Sequence, residues 1–435
     1  AQLDNLQIST GAEIARQTPN LRVSLLGNED QPKFSLRGIS TSEFNLNAVS
    51  PTGVFYDEVY VASSFLGGPQ MFDMERVEVL RGPQGTLFGK NTTGGAVNFI
   101  TRLPSFETGG YVSAEAGENN YTHLDGAIEG VLVPDRLAAR LAFNYSNSDG
   151  WQDNENPVGN DLSSINSYAG RLTLAYRGEG LDANLRIFSN RSFPDAIGAI
   201  TYGLGPGGTN AFGLDPRVSP FTGNAYDAHQ GAYDRSGEIE VIGDGAYLTV
   251  SRDLGGAFTL TSITSYVEGS FLNLVDGDGS IADLLHINFA ASTREISQDL
   301  RIASNFDGPF NFIAGLYYFT DDADVNTLYR LFGGSVFVTE LDQRYEQERE
   351  SYALYVDGAY DLTEQATLYG GIRWTHDEGE VRNFTVTPTI PTQPTISYED
   401  ADPSGRIGLR YRFTPDMMVY AQYARGYRSS AINGG

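Results

Sequence analysis

Val77-Glu78-Val79-Leu80-Arg81-Gly82-Pro83-Gln84-Gly85-Thr86-Leu87-Phe88-Gly89-Lys90-Asn91-Thr92-Thr93-Gly94-Gly95-Ala96-Val97-Asn98-Phe99-Ile100 reads as an apolar strand, a glycine-rich reversal and a second strand. Glycines at 82, 85, 89, 94 and 95 permit positive φ and close backbone approach, and Pro83 fixes one φ in the turn. Such a segment builds a compact, loop-rich lid. A phosphate-binding loop ending at Gly89-Lys90 needs glycine at 84 and Ser or Thr at 91, where Gln84 and Asn91 stand. Gly203, Gly205 and Gly208 do fit G-x-G-x-x-G, but Pro206 interrupts them and no strand or helix flanks them, so this stretch is expected to be a loop.

Composition sets wider bounds. The 435 residues include 50 glycines, 25 tyrosines and 24 phenylalanines but only 4 methionines and 2 tryptophans, a balance suited to many strands joined by turns. The net charge of −26 opposes general nucleic-acid binding, since the chain repels phosphate and carries no basic run. With no cysteine, disulfide scaffolds and Cys-ligated metal sites are excluded. The longest apolar candidate, Phe310 to Phe319, is too short for a transmembrane helix. Ala1 opens without a charged and apolar leader, so a secretory signal is expected to have been removed or left out.

Two textures divide the chain. Residues 1–105 read as a mixed α+β unit, with a short helix around Asn5 to Ala15 and strands near 21–26, 33–37, 53–60, 76–81 and 95–102. Residues 106–435 read as segments of about ten residues with period-two alternation. Between Tyr168 and Arg177 one face holds Tyr168, Leu172, Leu174 and Tyr176, and the other holds Arg171, Thr173 and Arg177. Ala139, Leu141, Phe143 and Tyr145 oppose Arg140 and Asn144 in the same way, as Ile407, Leu409, Tyr411 and Phe413 oppose Arg406, Arg410 and Arg412.

Alternation alone fits a soluble sandwich as well as a membrane barrel. Aromatic residues at the ends of the apolar faces, Tyr168 with Tyr176 and Tyr352 with Tyr360, match interfacial girdles and favour the barrel. Short turns near 134, 255 and 363 alternate with long polar loops near 192–237, 271–291 and 381–398. Segments near 110, 122, 138, 168, 182, 245, 258, 296, 311, 349, 367, 405 and 418 give about 13 strands, or 14 if another lies within 325–346.

The wording around the glycine turn, with Leu36-Arg37-Gly38-Ile39 and Tyr56-Asp57-Glu58-Val59-Tyr60 before it, resembles the plug domain of TonB-dependent outer-membrane receptors. Ser297 to Ile302, Ala314 to Tyr318 and Gly370 to Glu378 are similar to the barrel of that family. The resemblance implies a mainly β fold, a transmembrane antiparallel barrel of about 22 strands when complete, with an α+β plug, residues 1–105, in the lumen. The barrel part, 106–435, is then expected to lack its last strands, with Gly435 an artificial end. The short box that pairs with TonB is not visible before Ala1.

The same resemblance implies import of a scarce solute across the bacterial outer membrane, powered through TonB with ExbB and ExbD. A ferric siderophore leads as cargo, iron entering only as part of it, with no covalent cofactor and no metal site. Glycan, haem or cobalamin import, or a binding barrel that transports nothing, are the alternatives. The outward plug loops are expected at Ser40 to Ser50, Val61 to Gln70 and Phe88 to Thr93. There Phe65, Phe88, Lys90 and Asn91 are the candidate ligand-binding residues, an aromatic face and an ammonium suiting an anionic chelate. The plain alternative has Phe88 packed under its turn and Lys90 in water.

Arg37 and Arg81 precede glycines in plug strands and need carboxylates if buried. The resemblance implies that such plug arginines lock onto barrel-wall acids, here Glu295, Asp299 or Glu350 at positions expected to face the lumen, and satisfaction by plug carbonyls is the alternative. Asp276-Gly277-Asp278-Gly279 with Asp283 misses the EF-hand spacing and is expected to be a solvated loop. His123, His229, His286 and His376 show no ligand spacing. No Gly-x-Ser-x-Gly elbow or specific carboxylate pair supports an enzyme.

Overall fold

A computed structural model describes residues 10–11, 13–25, 32–41, 49–66, 71–157, 159–199, 208–209, 215, 217–227, 229–333 and 338–432. Among the described residues the N-terminal part holds one helix, α1 (Ile14–Gln17), and six strands: β1 (Leu21–Leu25), β2 (Pro32–Leu36), β3 (Thr52–Tyr56), β4 (Val59–Val61), β5 (Met74–Arg81) and β6 (Gly95–Thr101). β1 and β2 form an antiparallel pair, while the other four make a sheet in the order β4-β3-β6-β5. β6 lies parallel to β3 and antiparallel to β5. A parallel pair needs a long crossover, and the chain from β4 through β5 and the glycine turn supplies it.

The glycine turn continues the β5–β6 ladder before it opens. Gly82 N–H donates to Gly94 O and Gln84 N–H to Thr92 O. At Gly95, φ is +147° and a Cβ would come within 2.2 Å of Leu80 O, so only glycine lets the two strands meet here. Inside, Phe99, Val97 and Leu36 are fully buried, and Tyr56 stacks on Phe99 at 4.7 Å between ring centroids.

The C-terminal part runs β7 (Gly109–Ala116), β8 (Thr122–Val133), β9 (Leu137–Ser148), β10 (Asp153–Asn154), β11 (Ile165–Gly178), β12 (Leu181–Ser192), β13 (Gln230–Gly231) and β14 (Glu238–Asp253). It continues as β15 (Phe258–Asp276), β16 (Leu285–Ser304), β17 (Phe310–Leu331), β18 (Thr339–Asp361), β19 (Ala366–Thr387), β20 (Ile396–Thr414) and β21 (Met417–Arg425). All but the short β10 and β13 join in one 13-stranded sheet in chain order. Every neighbouring pair in it is antiparallel.

The two faces of this sheet differ as the alternation requires. Inward positions such as Arg140, Arg171, Ser297, Phe319 and Thr375 are buried, whereas Ile128, Leu316, Leu354, Ile372 and Ile407 are 56–65% exposed on the other face. A sandwich would cover that apolar face with a second sheet; here it lies open. Its limits are aromatic. Tyr168 and Tyr176, Tyr352 and Tyr360, Tyr266 and Phe258, and Tyr318 and Phe310 are each separated by the same strand distance, about 26 Å at 3.3 Å per residue. Projected on the barrel axis at the usual tilt of about 35–45°, this is about 18–21 Å, which fits within a lipid-facing band about 25 Å tall.

The inner unit packs on the other face. Tyr56, Phe99 and Met74 share one apolar cluster with Tyr247, Ile263 and Val267 of the wall. Three details depart from the sequence-based expectations. The strand expected over 53–60 is a hairpin, because Asp57 and Glu58 both adopt positive φ, 49° and 71°. No separate strand lies within 325–346 among the described residues; β17 and β18 extend into it from either side. The loops at 271–291 and 381–398 are shorter than expected, since β15, β16 and β19 run on beyond the apolar band. Of the helix expected around Asn5 to Ala15, Ile14 and Ala15 fall in α1, while 5–9 and 12, parts of two outward loops (42–48 and 67–70), and Gly203 and Gly205 lie outside the described residues.

Candidate functional site

The chemistry of the molecule is concentrated where the inner unit meets the wall. The hairpin turn between β3 and β4 carries Asp57, whose carboxylate accepts the Thr101 N–H (3.0 Å) and the Thr101 hydroxyl (2.8 Å) and pairs with Arg186 of β12 (3.0 Å). Asp73, just before β5, accepts Arg140 Nε of β9 at 2.8 Å and lies 3.5 Å from Arg171 of β11. Arg171 also donates to the carbonyls of Phe72 and Asp73. Three arginines on consecutive strands of one sheet thus grip two acids of the inner unit. All of these groups are buried, so each charge depends on its partner. A cavity of about 70 Å³ lies beside them, lined by Asp57, Phe72, Arg171, Arg186 and Tyr247.

At the glycine turn the polarity is reversed. Lys90 Nζ donates to Asp377 Oδ1 of β19 at 2.9 Å and lies 5.2 Å from the centre of the Phe319 ring. Burial pulls the Lys90 amine below its ordinary pKa, and Asp377 opposes that pull. Asn91, at φ +65°, donates from its side chain to Tyr60 OH (3.0 Å), from its N–H to Tyr427 O (3.0 Å), and accepts the Ser429 N–H (3.0 Å). Burial raises the Tyr60 phenol to about 12, with the Asn91 bond opposing. A Cβ at Gly89 would approach the Arg373 guanidinium to 2.9 Å, so this turn presses directly on the wall. Glu295 of β16 closes the third side by accepting the N–H groups of Ala62 (3.1 Å) and Ser63 (2.8 Å).

A small sheet domain seated by buried ion pairs on the polar face of a strand wall whose other face is apolar and open is the arrangement expected of a plug in its barrel. The family model for the TonB-dependent receptor plug domain matches residues 1–96 and that for the TonB-dependent receptor-like β-barrel matches residues 189–435. The chain belongs to the TonB-dependent receptors. They are outer-membrane β-barrel proteins of Gram-negative bacteria and comprise receptors and transporters. The pesticin receptor of Yersinia enterocolitica is 22% identical over 443 aligned residues, which cover 99% of this chain and 60% of that protein. The crystal structure of the ferric yersiniabactin uptake receptor FyuA from Yersinia pestis superposes with a TM-score of 0.83 at 19% identity, covering 98% of this chain and 63% of that one. The Vitamin B12 transporter BtuB of Vibrio vulnificus is 27% identical over 161 residues, 36% of this chain and 25% of the transporter. The chain therefore spans about three-fifths of the first of these relatives.

Within this receptor the expected site residues are placed as follows. Lys90 and Asn91 are buried, with Lys90 bonded to Asp377 of the barrel and Asn91 to Tyr60 and to the backbone at Tyr427 and Ser429. Phe88 packs edge-on against Phe55 at 4.9 Å, under its turn. Phe65 is buried and stacks on Phe271 of β15 at 5.6 Å, at the edge of an apolar cluster that includes Val325, Tyr345 and Val381.

The expected arginine lock takes a different form. Arg37 and Arg81 are exposed and make no ion pair with the described residues. Arg37, at φ +54°, turns its side chain out of the sheet toward Gly82, and Arg81 ends the edge strand β5. Glu295 does hold the plug, through backbone N–H groups rather than an arginine. Asp299 accepts the Tyr355 hydroxyl (2.9 Å) within the wall. Glu350 stands on the outer face, bonded to Tyr318 and Tyr352, because strand parity places it with Tyr352 and Leu354. Sequence reasoning missed Asp57, Asp73, Arg140, Arg171, Arg186 and Asp377. The signal available was arginine recurring on the polar face of successive strands.

Proposed function

We propose that this receptor imports a ferric siderophore across the outer membrane, energised by TonB with ExbB and ExbD, with residues 1–105 as the plug and 106–435 as the barrel part. The observation that carries this reading is the seat of the plug. A body held in the lumen by a few buried ion pairs and one apolar cluster, with no cross-link to the wall beyond its own chain connection into β7, is one that a pull can reposition, and the pairs reform when it returns. The aromatic cluster at the apex supports a cargo bearing aryl groups: Phe65 on Phe271, and Tyr345 against Phe384 at 6.3 Å. The likeness to a ferric yersiniabactin uptake receptor favours iron. Similarity to the Vitamin B12 transporter BtuB over a shorter stretch makes cobalamin the second reading.

The test is uptake of radiolabelled iron as an aryl siderophore complex by cells carrying the protein, with and without TonB or the proton gradient. Accumulation only in energised cells is expected. Equal accumulation in both would overturn the import reading, and competition by cobalamin would decide the cargo.

A further inference from the structure

At the rim of the barrel, away from the plug, three strand tips meet a returning loop. Asp276 closes β15, and its partner directly across the ladder is His286 of β16, which in turn faces Arg330 of β17. Directly opposed residues share a face, so these side chains stand in one row. The segment around Asp234 lies over that row, its backbone tied by Asp234 N–H to Ser280 O at 3.1 Å. Both oxygens of Asp234 approach His286 Nε2, at 2.9 and 3.0 Å, and Asp283 Oδ1 lies 3.6 Å from Nδ1 of the same ring. The ligand atoms of Asp234, Asp283 and His286 all fall within 4.8 Å of one another.

Two further observations mark this cluster out from a solvated acidic loop. Asp276 is 95% buried, and its Oδ2 has no hydrogen-bond partner; Oδ1 of Asp283 has none either. Buried carboxylate oxygens without partners are costly. Asp283 nests against Gly333, where a Cβ would meet its oxygens at 2.3 Å. The charge does not balance: four carboxylates, Asp234, Asp276, Asp278 and Asp283, face two guanidinium groups. Arg235 is engaged with Asn288 (2.8 Å), and Arg330 reaches Asp283 only at 3.5 Å. The excess is two negative charges.

We propose that Asp234, Asp283 and His286, with the buried carboxylate of Asp276 beside His286 across the ladder, form a divalent-cation clasp that pins the 232–237 loop to the tips of β15 and β16. One imidazole among carboxylates suits a first-row transition ion better than calcium, which takes oxygen ligands alone. The clasp is separate from the plug and independent of the cargo.

Zinc titration of the detergent-solubilised protein after chelator treatment tests it, followed by calorimetry and by trypsin cleavage after Arg235. One saturating equivalent of zinc is expected, with calcium weaker by at least about tenfold and cleavage after Arg235 slowed by zinc. His286→Gln should weaken zinc by about tenfold or more. Asp276→Asn should raise the melting temperature in chelator, by removing repulsion, and lose the further rise that zinc gives the parent. Absence of saturable binding, or zinc affinity and protection unchanged in both variants, overturns the clasp. If Asp276→Asn does not fold, His286→Gln and the parent's protection pattern decide alone.

Discussion

Lys90 shows how much one side chain can be asked to hold. Its ammonium and the Asp377 carboxylate are both out of water, so removing either leaves the other as an unpaired buried charge, a loss of about 3–5 kcal/mol. Lys90→Ala should lower the denaturation midpoint and open the plug to protease, while the double change Lys90→Met with Asp377→Leu should recover most of the loss. A double variant as unstable as the single one would show that the pair is not what seats the turn. Tyr60 gives the matching pH dependence. Its folded pKa of about 12 lies above the ordinary 10.0, so its contribution is fully present below pH 10 and is lost as pH rises toward 12, at about 1.4 kcal/mol per unit. Tyr60→Phe should flatten that alkaline loss, read by melting temperature against pH; an unchanged profile would remove Tyr60 from the account. Lys90 and Asn91 were visible in the sequence as special residues, but not their role. Exposure cannot be read from a turn whose far side is another domain.

At the scale of elements, alternation carried most of the architecture. Apolar residues two apart over ten-residue runs mark lipid-facing strands, and each of the thirteen expected segments is a strand of the large sheet. The pattern fails where its cause fails. Beyond the apolar band β15 and β19 have polar residues on both faces, so their tips read as loops, while the tips of β17 and β18 within 325–346 read as a candidate further strand. The Asp57-Glu58 turn was hidden because Tyr56 and Val59 on either side both look like strand. Parity is also unforgiving: Arg349 points inward to Asp321 at 2.7 Å, while Glu350 next to it points out. The three wall arginines act as one element-scale device, and their loss should be felt together. Asp57→Asn with Asp73→Asn would leave Arg171 and Arg186 buried without their acids, loosening the plug while the sheet persists. Cells carrying the double variant should admit large antibiotics that the parent excludes, with barrel content unchanged by gel mobility. Unaltered exclusion would mean that the apolar contacts of Tyr56 and Phe99 hold the plug unaided.

For the whole molecule the deciding question is which solvent the outer face meets, and Val356 is placed to answer it. It points outward on β18 midway between the girdle residues Tyr352 and Tyr360, 42% exposed, with Ala314 and Ile372 as its cross-strand partners. Glu350 shares that face but lies beyond Tyr352, where the headgroup region begins. If hydrocarbon surrounds the sheet, an arginine at 356 sits near the bilayer midplane and costs about 2–4 kcal/mol, whereas one at 350 costs about 0–1. In water neither substitution removes buried surface, and both should be nearly neutral. Refolding into lipid bilayers across a denaturant series measures the two costs directly. A penalty for Val356→Arg no larger than that for Glu350→Arg would mean that the exposed Leu316, Leu354 and Ile372 face something other than lipid. The girdle spacing predicts the opposite, because only a slab of fixed thickness would set aromatic residues at the same separation on four different strands.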